Sequence, residues 1–317
     1  SDPDYALLKA LEAYTYVALA EGYCGYIPFS EIEDGNYVEG APVTAAAALE
    51  ASLPVFDIAI NLGSALARVG KGRALVNLGR YSEAAAVVAS VDTDYVYYLE
   101  NSSSSSIPSN PFYSLQANGR YSMGQFEGAN GIPFRDPSDT DSWDPDNADP
   151  RVPWVNDGPG FDPSLGDVAM AKYFSFDDDN ILADGVEARL IEAEANLAGA
   201  VAILNDLRSQ AEDLIPLRTT MLMDDLTLAP LVDPGNDADR LALVMEERAW
   251  WLWGTGHRLG DLRRMVRNYS MNAEDVYPSG DYHKGASYGT DVVFLLDFDE
   301  GNNTLFDPDA CSPTSVN

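Results

Sequence analysis

The first 93 residues carry apolar side chains at helical spacing. Between Tyr5 and Tyr23, apolar residues recur every three or four positions, which predicts a helix with a broad apolar face. Thr44 precedes a run rich in Ala and Leu, where its hydroxyl can cap a second helix. The same kind of periodicity returns over residues 185–197 and 200–211. The pattern therefore predicts a mostly α protein.

Residues 65–91 have the spacing of small and aromatic residues that is typical of a tetratricopeptide helix pair. Gly72 and Ala84 let two antiparallel helices approach, Gly79 makes the turn, and Tyr81 fills the groove. Because one such pair cannot bury its apolar face alone, we expect it to pack on flanking helices and on the pair over 185–211. We interpret these pairs as a scaffold in preference to a peptide-binding adaptor.

The middle of the chain, residues 94–184, has no sustained hydrophobic period. It is rich in Pro, Gly, Asp and Ser, and a segment of this length and composition is usually either functional or disordered. Its many aromatic residues argue against disorder. We therefore predict one domain over 1–317, with a helical scaffold at 1–93 and 185–267, a long irregular region packed on it at 94–184, and an extended tail at 268–317.

The charge balance excludes several classes of partner. With 51 acidic and 19 basic residues the chain has a formal net charge of −32, which argues against nucleic acid, because phosphate binding depends on Lys and Arg. No apolar run reaches the roughly 18 residues of a membrane span. The acids between Asp136 and Asn147 could ligate calcium, but no EF-hand pattern is present, so solvated turn residues are favoured and no metal or cofactor is predicted.

The segment from Glu246 to Arg264 concentrates aromatic and charged residues. Glu247, Trp250 and Trp251 are spaced to lie on neighbouring positions of one helical face. Gly254 can end this helix, since glycine accepts the left-handed conformation found after helix ends. The apolar pattern then restarts, so the segment predicts a helix, a tight turn and a second helix that brace one another.

Catalytic or ligand chemistry does not explain this segment well. The Gly-Thr-Gly turn follows a helix and lacks the lysine of a phosphate-binding loop, and a lone histidine beside a helix end is more often structural than a ligand. One of the two glutamates is expected to pair with Arg258 or Arg263. We interpret seven polar residues here as structural: Glu246, Glu247, Arg248, His257, Arg258, Asp261 and Arg263.

These residues, read with others along the chain, resemble the SusD/RagB family. The Gly-His-Arg and Asp-Leu-Arg-Arg elements near residue 260 resemble its C-terminal signature, and Asp149-Pro150-Arg151 resembles its mid-chain element. Residues 189–195 resemble its Arg-Leu-x-Glu helix in shortened form, and 288–296 match its final extended segment. The resemblance implies a helical, non-enzymatic lipoprotein of the bacterial cell surface that binds a nutrient and works with a TonB-dependent, SusC-like outer-membrane barrel.

The resemblance also implies that aromatic rings on the irregular region stack on an oligosaccharide. The face of an indole or phenol suits the apolar face of a pyranose, while charged and amide groups bond to its hydroxyls. Against this, rings on long loops more often pin the loop to the core. The candidate ligand-binding rings are Trp143, Trp154, Tyr121 and Phe126, with Arg135 and Asp157 as polar neighbours.

Some alternatives stay open at this point. The same scaffold could serve an extracellular structural protein that self-associates into a polymer or surface layer. Family members carry a lipidated cysteine near the mature N-terminus; none stands near Ser1 here, so we expect a processed or trimmed form. Cys24 and Cys311 either form a disulfide or remain buried thiols, and an exterior location favours the disulfide.

Overall fold

The computed structural model describes residues 2–104, 107–124, 126–128, 131–135, 149–163, 166–221, 225–282, 285–296, 302–307 and 312–314. Helices dominate these residues and short two-stranded sheets complete them, which confirms the predicted mostly α fold. None of the described helices is both long and apolar enough to cross a membrane.

The helices are α1 (Asp2–Gly22), α2 (Ala45–Asn61), α3 (Ala65–Asn77), α4 (Tyr81–Val88), α5 (Pro111–Gln116), α6 (Gly185–Ala195), α7 (Leu197–Ser209), α8 (Ala211–Leu214), α9 (Asp237–Trp251), α10 (Arg258–Tyr269) and α11 (Ala273–Val276), with a 3₁₀ turn at Ile215–Leu217. The strands are β1 (Ile27–Pro28), β2 (Glu31–Glu33), β3 (Asn36–Val38), β4 (Pro42–Val43), β5 (Val96–Leu99), β6 (Trp154–Pro159), β7 (Gly166–Met170) and β8 (Asn180–Asp184).

Contacts between Cα atoms group the chain into two compact units. The first unit comprises residues 1–89 and 258–317, and the second unit comprises residues 90–257. This division, at 89 and 257, does not coincide with the scaffold boundaries expected from the sequence at 93, 184 and 267. The single-domain organisation stays a prediction.

The core of the first unit forms where α1, α2 and α3 pack together. The ring of Tyr14 meets that of Phe56 edge-on, with 5.4 Å between the ring centroids. Gly70 lies opposite both rings, and a Cβ atom there would stand 2.5 Å from Phe56 and 2.7 Å from Tyr14. Close approach of these helices therefore depends on a residue without a side chain.

The turn between α3 and α4 has the predicted form. Gly79 adopts a left-handed conformation with φ of 73°, and the amide of Arg80 donates to the carbonyl of Leu75 at 2.9 Å. Such a turn is the usual end of a helix at glycine. The phenol ring of Tyr81 stacks on Tyr269 at a centroid distance of 6.0 Å, so this pair is anchored within its unit as a scaffold element.

Thr44 caps α2 as predicted, and this gives a first test. Its hydroxyl accepts a hydrogen bond from the amide of Ala47 at 3.1 Å. We expect Thr44→Ala to lower the free energy of unfolding by about 1 kcal/mol, because the amide loses its partner. Urea denaturation measures this. Thr15→Ala is the control: this exposed threonine bonds only within α1, and alanine favours a helix, so no loss of stability is expected. Equal effects of the two substitutions would contradict the capping role.

The core of the second unit is built by α6, α7 and α9. Leu190, Leu204, Leu207, Val244 and Trp251 are buried there at the helix contacts. Within this unit, then, the packing partner of the predicted helix pair over 185–211 is α9. Asp184 begins α6, because its carboxylate accepts from the amide of Glu187 at 2.7 Å.

Two antiparallel ribbons organise the region that the sequence predicted to be irregular. Strand β5 pairs with β8, which joins the start of the region to its end. Strand β6 pairs with β7, and the register of this ribbon shifts between Asn156 and Gly158. Asp157 lies at that bulge and is exposed. A bulge of this kind bends a ribbon and redirects a side chain.

Candidate functional site

Glu247 is the centre of a buried charge network in the second unit. One of its carboxylate oxygens accepts from Arg151 at 2.8 Å and the other from Arg208 at 2.6 Å. Arg151 also pairs with Asp149 at 2.6 Å. The expected pairing with Arg258 or Arg263 is therefore wrong for Glu247, and Glu246 is exposed. A buried carboxylate pairs with a guanidinium that lies close in space. Spacing along the sequence does not show which guanidinium that is.

The arginine of the mid-chain Asp-Pro-Arg element also meets the tryptophans of α9. The guanidinium carbon of Arg151 lies 5.7 Å from the ring centroid of Trp250 and 5.2 Å from that of Trp251. These distances are within the range of a cation–π interaction. An arginine from about 100 residues earlier in the chain thus packs on the indoles of α9.

His257 is held inside the second unit by two polar contacts. Its Nε2 lies 3.1 Å from a carboxylate oxygen of Glu187, and its Nδ1 lies 2.8 Å from the hydroxyl of Thr255. Arg248, nine residues earlier in the chain, is also buried. Its Nε lies 3.8 Å from a carboxylate oxygen of Glu194. These contacts support the structural role that we propose for both residues.

Asp261 and Arg263 belong to the first unit, as does Arg258, the first residue of α10. The Nη1 of Arg263 donates to the carbonyls of Ala20 and Glu21 at 2.6 and 2.9 Å, and burial lowers its pKa to about 10. Asp261 pairs with Arg264 at 2.9 Å.

The predicted brace between the two helices of this segment stays a prediction. The boundary between the compact units falls between His257 and Arg258. Helix α9 packs in the core of the second unit, whereas α10 packs on α1, α3 and α11 in the first. Each helix therefore has packing partners within its own unit.

The predicted ligand-binding rings lie in different environments. Trp143 lies outside the described residues. Trp154 begins β6 and is 1% exposed, with the guanidinium of Arg135 at 5.3 Å from its ring centroid. A ring with so little exposure has no open face for a sugar, so Trp154 belongs to the core. Arg135 is half-buried beside this ring.

Six described rings of the irregular region are exposed, and Tyr98, Phe174 and Phe176 are three of them. The other three lie between residues 121 and 161. Tyr121 is 58% exposed, Phe126 is 43% exposed and Phe161 is 64% exposed. The guanidinium carbon of Arg120 lies 3.9 Å from the centroid of the Phe161 ring. Together with Asp157, these residues define what we call the aromatic surface. Sequence inspection did not single out Phe161 or Arg120, because their pairing joins segments 41 residues apart.

Hydrogen bonds fix the backbone beneath the aromatic surface. The amide of Phe161 donates to the carbonyl of Gly119 at 2.9 Å, and Met123 donates to Val168 at 2.8 Å. The amide of Val168 in turn donates to the hydroxyl of Ser122 at 2.9 Å. The segment that carries Tyr121 is thus attached to strand β7 and to the loop that precedes it. Rings on a fixed backbone lose less conformational entropy when they bind a ligand.

A separate cleft of about 220 Å³ lies elsewhere in the second unit. Its lining residues are Tyr98, Lys172, Tyr173, Asp179, Ile181, Pro216, Leu217, Arg218, Thr219 and Thr220. Arg218 is buried, pairs with Asp184, and donates from Nη2 to the carbonyl of Trp251 at 2.7 Å. Burial lowers its pKa to about 10. No sequence motif pointed to this cleft, since its walls come from four separate stretches of chain.

Two further features concern metal binding and the cysteines. Within the described ranges, no group of three or more His, Cys, Asp or Glu side chains could hold a metal ion. Cys24 is disulfide-bonded. The chain contains two cysteines, and the other, Cys311, lies outside the described residues, so the pairing stays a prediction.

Comparison with known proteins places the fold. No protein-family model matches the chain, and no curated protein sequence does. Among solved structures, NanU of Bacteroides fragilis is similar at 13% identity and a TM-score of 0.58, covering 97% of this chain and 78% of that one. A SusD superfamily protein from Bacteroides thetaiotaomicron matches at 16% identity and 0.53, covering 88% and 73%. A SusD-like carbohydrate binding protein from B. fragilis matches at 15% and 0.54, covering 83% and 67%.

Proposed function

Because this chain has a SusD-like fold, we propose that it is a non-enzymatic protein of the cell surface that captures an oligosaccharide. One structural neighbour is described as a carbohydrate binding protein. The observation that carries the proposal here is the aromatic surface, where rings exposed by 43–64% stand on a hydrogen-bonded backbone. Such rings suit the flat apolar faces of sugars.

The polar members of the aromatic surface supply the complementary chemistry. Asp157 is an exposed carboxylate at the β6 bulge and can accept from sugar hydroxyls. Arg120 lies over Phe161 and can donate to sugar hydroxyls. A mixture of stacking rings and a few polar groups orients a ligand without any reacting group. This composition supports the proposal of binding without turnover.

We further propose that the captured ligand passes to a TonB-dependent, SusC-like outer-membrane barrel, at the exterior of a bacterial cell. This part rests on the family resemblance of the sequence elements near residues 149–151, 189–195 and 257–264. Pull-down of the barrel from solubilised outer membranes, with the tagged full chain as bait, tests the partnership. Recovery of no such barrel would contradict it.

The double substitution Tyr121→Ala with Phe161→Ala tests the aromatic surface. We expect about tenfold to hundredfold weaker binding of the best oligosaccharide in a glycan screen, since two stacking contacts of roughly 1 kcal/mol or more are lost. Titration calorimetry measures the loss. Both rings are exposed, so the thermal midpoint should stay unchanged.

Tyr37→Ala is the matched control for this experiment. Tyr37 is 66% exposed and lies on the β2–β3 hairpin of the first unit. We expect its substitution to leave oligosaccharide affinity unchanged. If the double variant binds as well as the original chain, the assignment of the ligand to this surface is wrong.

A further inference from the structure

Lys172 is a buried lysine without a carboxylate partner among the described residues. It is 2% exposed, and its Nζ donates to the carbonyl of Trp253 at 2.7 Å. This is a neutral acceptor, and no ion pair accompanies it in the part of the chain that the structure describes. Charged side chains are almost never fully buried unless they are paired.

Burial and a nearby cation act together on this amine. Desolvation, with a smaller contribution from Arg218, lowers the pKa of Lys172 well below its usual 10.5. The protonated form is thus costly here because no counter-charge offsets the loss of water. An anion beside the amine would instead stabilise the protonated form.

The cleft described above includes Lys172 in its lining. Thr219 and Thr220 add two hydroxyl groups. Tyr98 forms a wall, with its hydroxyl fixed by donation to the carbonyl of Leu217 at 2.6 Å. The volume of about 220 Å³ suits a molecule about the size of one monosaccharide.

The other charged groups of the cleft do not supply a counter-charge for Lys172. Asp184 is paired with Arg218 in a buried ion pair, so it is not a counter-charge for Lys172. Asp179 is exposed and accepts from the amide of Asn101 at 2.9 Å, so water screens its charge.

The two phenols of the cleft do not change this balance. Burial raises the pKa of Tyr98 and Tyr173 above the usual 10, so both are neutral near pH 7. Neither phenol therefore supplies a negative charge for Lys172.

We propose that this cleft binds a small organic carboxylate, up to the size of a sugar acid, with Lys172 as its counter-charge. The carboxylate could belong to a free sugar acid or to the terminal acidic residue of a glycan. The threonine hydroxyls and the apolar wall then contact the rest of the ligand. This site is separate from the aromatic surface and does not rest on the function proposed for it.

Proton uptake is a direct consequence of this arrangement. Burial lowers the pKa of Lys172 in the free protein and a bound carboxylate raises it, so binding takes up as much as one proton from solution. Affinity therefore falls as the pH rises above the pKa of Lys172 in the free protein, by about tenfold per pH unit. A neutral sugar of the same size has neither effect.

Calorimetry with D-glucuronate and D-glucose tests the proposal on the full chain. The two sugars differ at one carbon, so their comparison isolates the carboxylate. We expect glucuronate to bind at least tenfold more tightly than glucose at pH 7.5, and its heat to vary with the ionisation enthalpy of the buffer, which reports proton uptake. Equal affinities, or heats independent of the buffer, would overturn the proposal without any variant being needed.

Variants then assign the effect to the residue. Lys172→Met should weaken glucuronate binding by about tenfold or more and abolish proton uptake. Lys9→Met, which removes a half-buried lysine of the first unit that is paired with Glu12, should do neither. A short oligouronide, compared with glucuronate, distinguishes a glycan terminus from a free acid. The double variant of the aromatic surface should retain glucuronate binding. Loss of proton uptake in that variant would show that the two sites are one.

Discussion

Replacement of Glu247 by alanine is expected to lower the free energy of unfolding by about 3–5 kcal/mol. Arg151 and Arg208 both direct a guanidinium nitrogen at this carboxylate, at 2.8 and 2.6 Å. Without it, Arg151 keeps Asp149 but loses its partner on α9, and Arg208 loses its ion pair. Two cations then face each other in a desolvated site. The helix packing of the second unit should weaken with them.

Denaturant unfolding, followed by circular dichroism, measures this change. Glu246→Ala is a closely matched control, because it removes the same side chain one residue earlier from an exposed position of the same helix. We expect that variant to stay within about 0.5 kcal/mol of the original chain. If the two variants lose similar amounts of stability, the network does not organise this unit.

The second large effect is expected from Gly185→Ala, at about 3 kcal/mol of lost stability. Gly185 is the first residue of α6, and its amide donates to the carbonyl of Tyr95 at 2.8 Å. An added Cβ would overlap the carbonyl oxygen of Asp92 and lie 2.5 Å from that of Thr93. Backbone atoms cannot rotate away as a side chain can, so α6 or the preceding loop must move.

Gly166→Ala is the control for this substitution. Gly166 begins β7, and a Cβ there would meet no described atom within 4 Å. Its substitution should change the thermal midpoint little, since alanine costs nothing sterically in an open strand position. A small effect of Gly185→Ala, comparable with that of the control, would mean that the loop before β5 yields easily.

Local features of the sequence predicted local features of the fold. The Thr44 cap and the Gly79 turn each depend on interactions within a few residues of chain, and both are found as expected. Helix periodicity likewise depends on neighbours three and four positions away. The helical scaffold could be predicted for that reason.

The candidate site could be predicted only in part. Tyr121, Phe126 and Asp157 are exposed as a ligand surface requires, whereas the Trp154 ring is buried. Both environments are compatible with an aromatic residue in a polar, turn-rich stretch. Which ring is covered depends on what packs against it, and the covering residue here, Arg135, comes from a different part of the chain.

By itself, the sequence determined the helices, their caps and turns, the acidic character of the chain and its resemblance to one fold family. Tertiary structure decided the partner of Glu247, the exposure of Phe161 and the isolation of Lys172 from any described carboxylate. The physical reason is the range of the interactions. Caps and helical periodicity act over a few residues, but burial and charge pairing act between groups that only folding brings together.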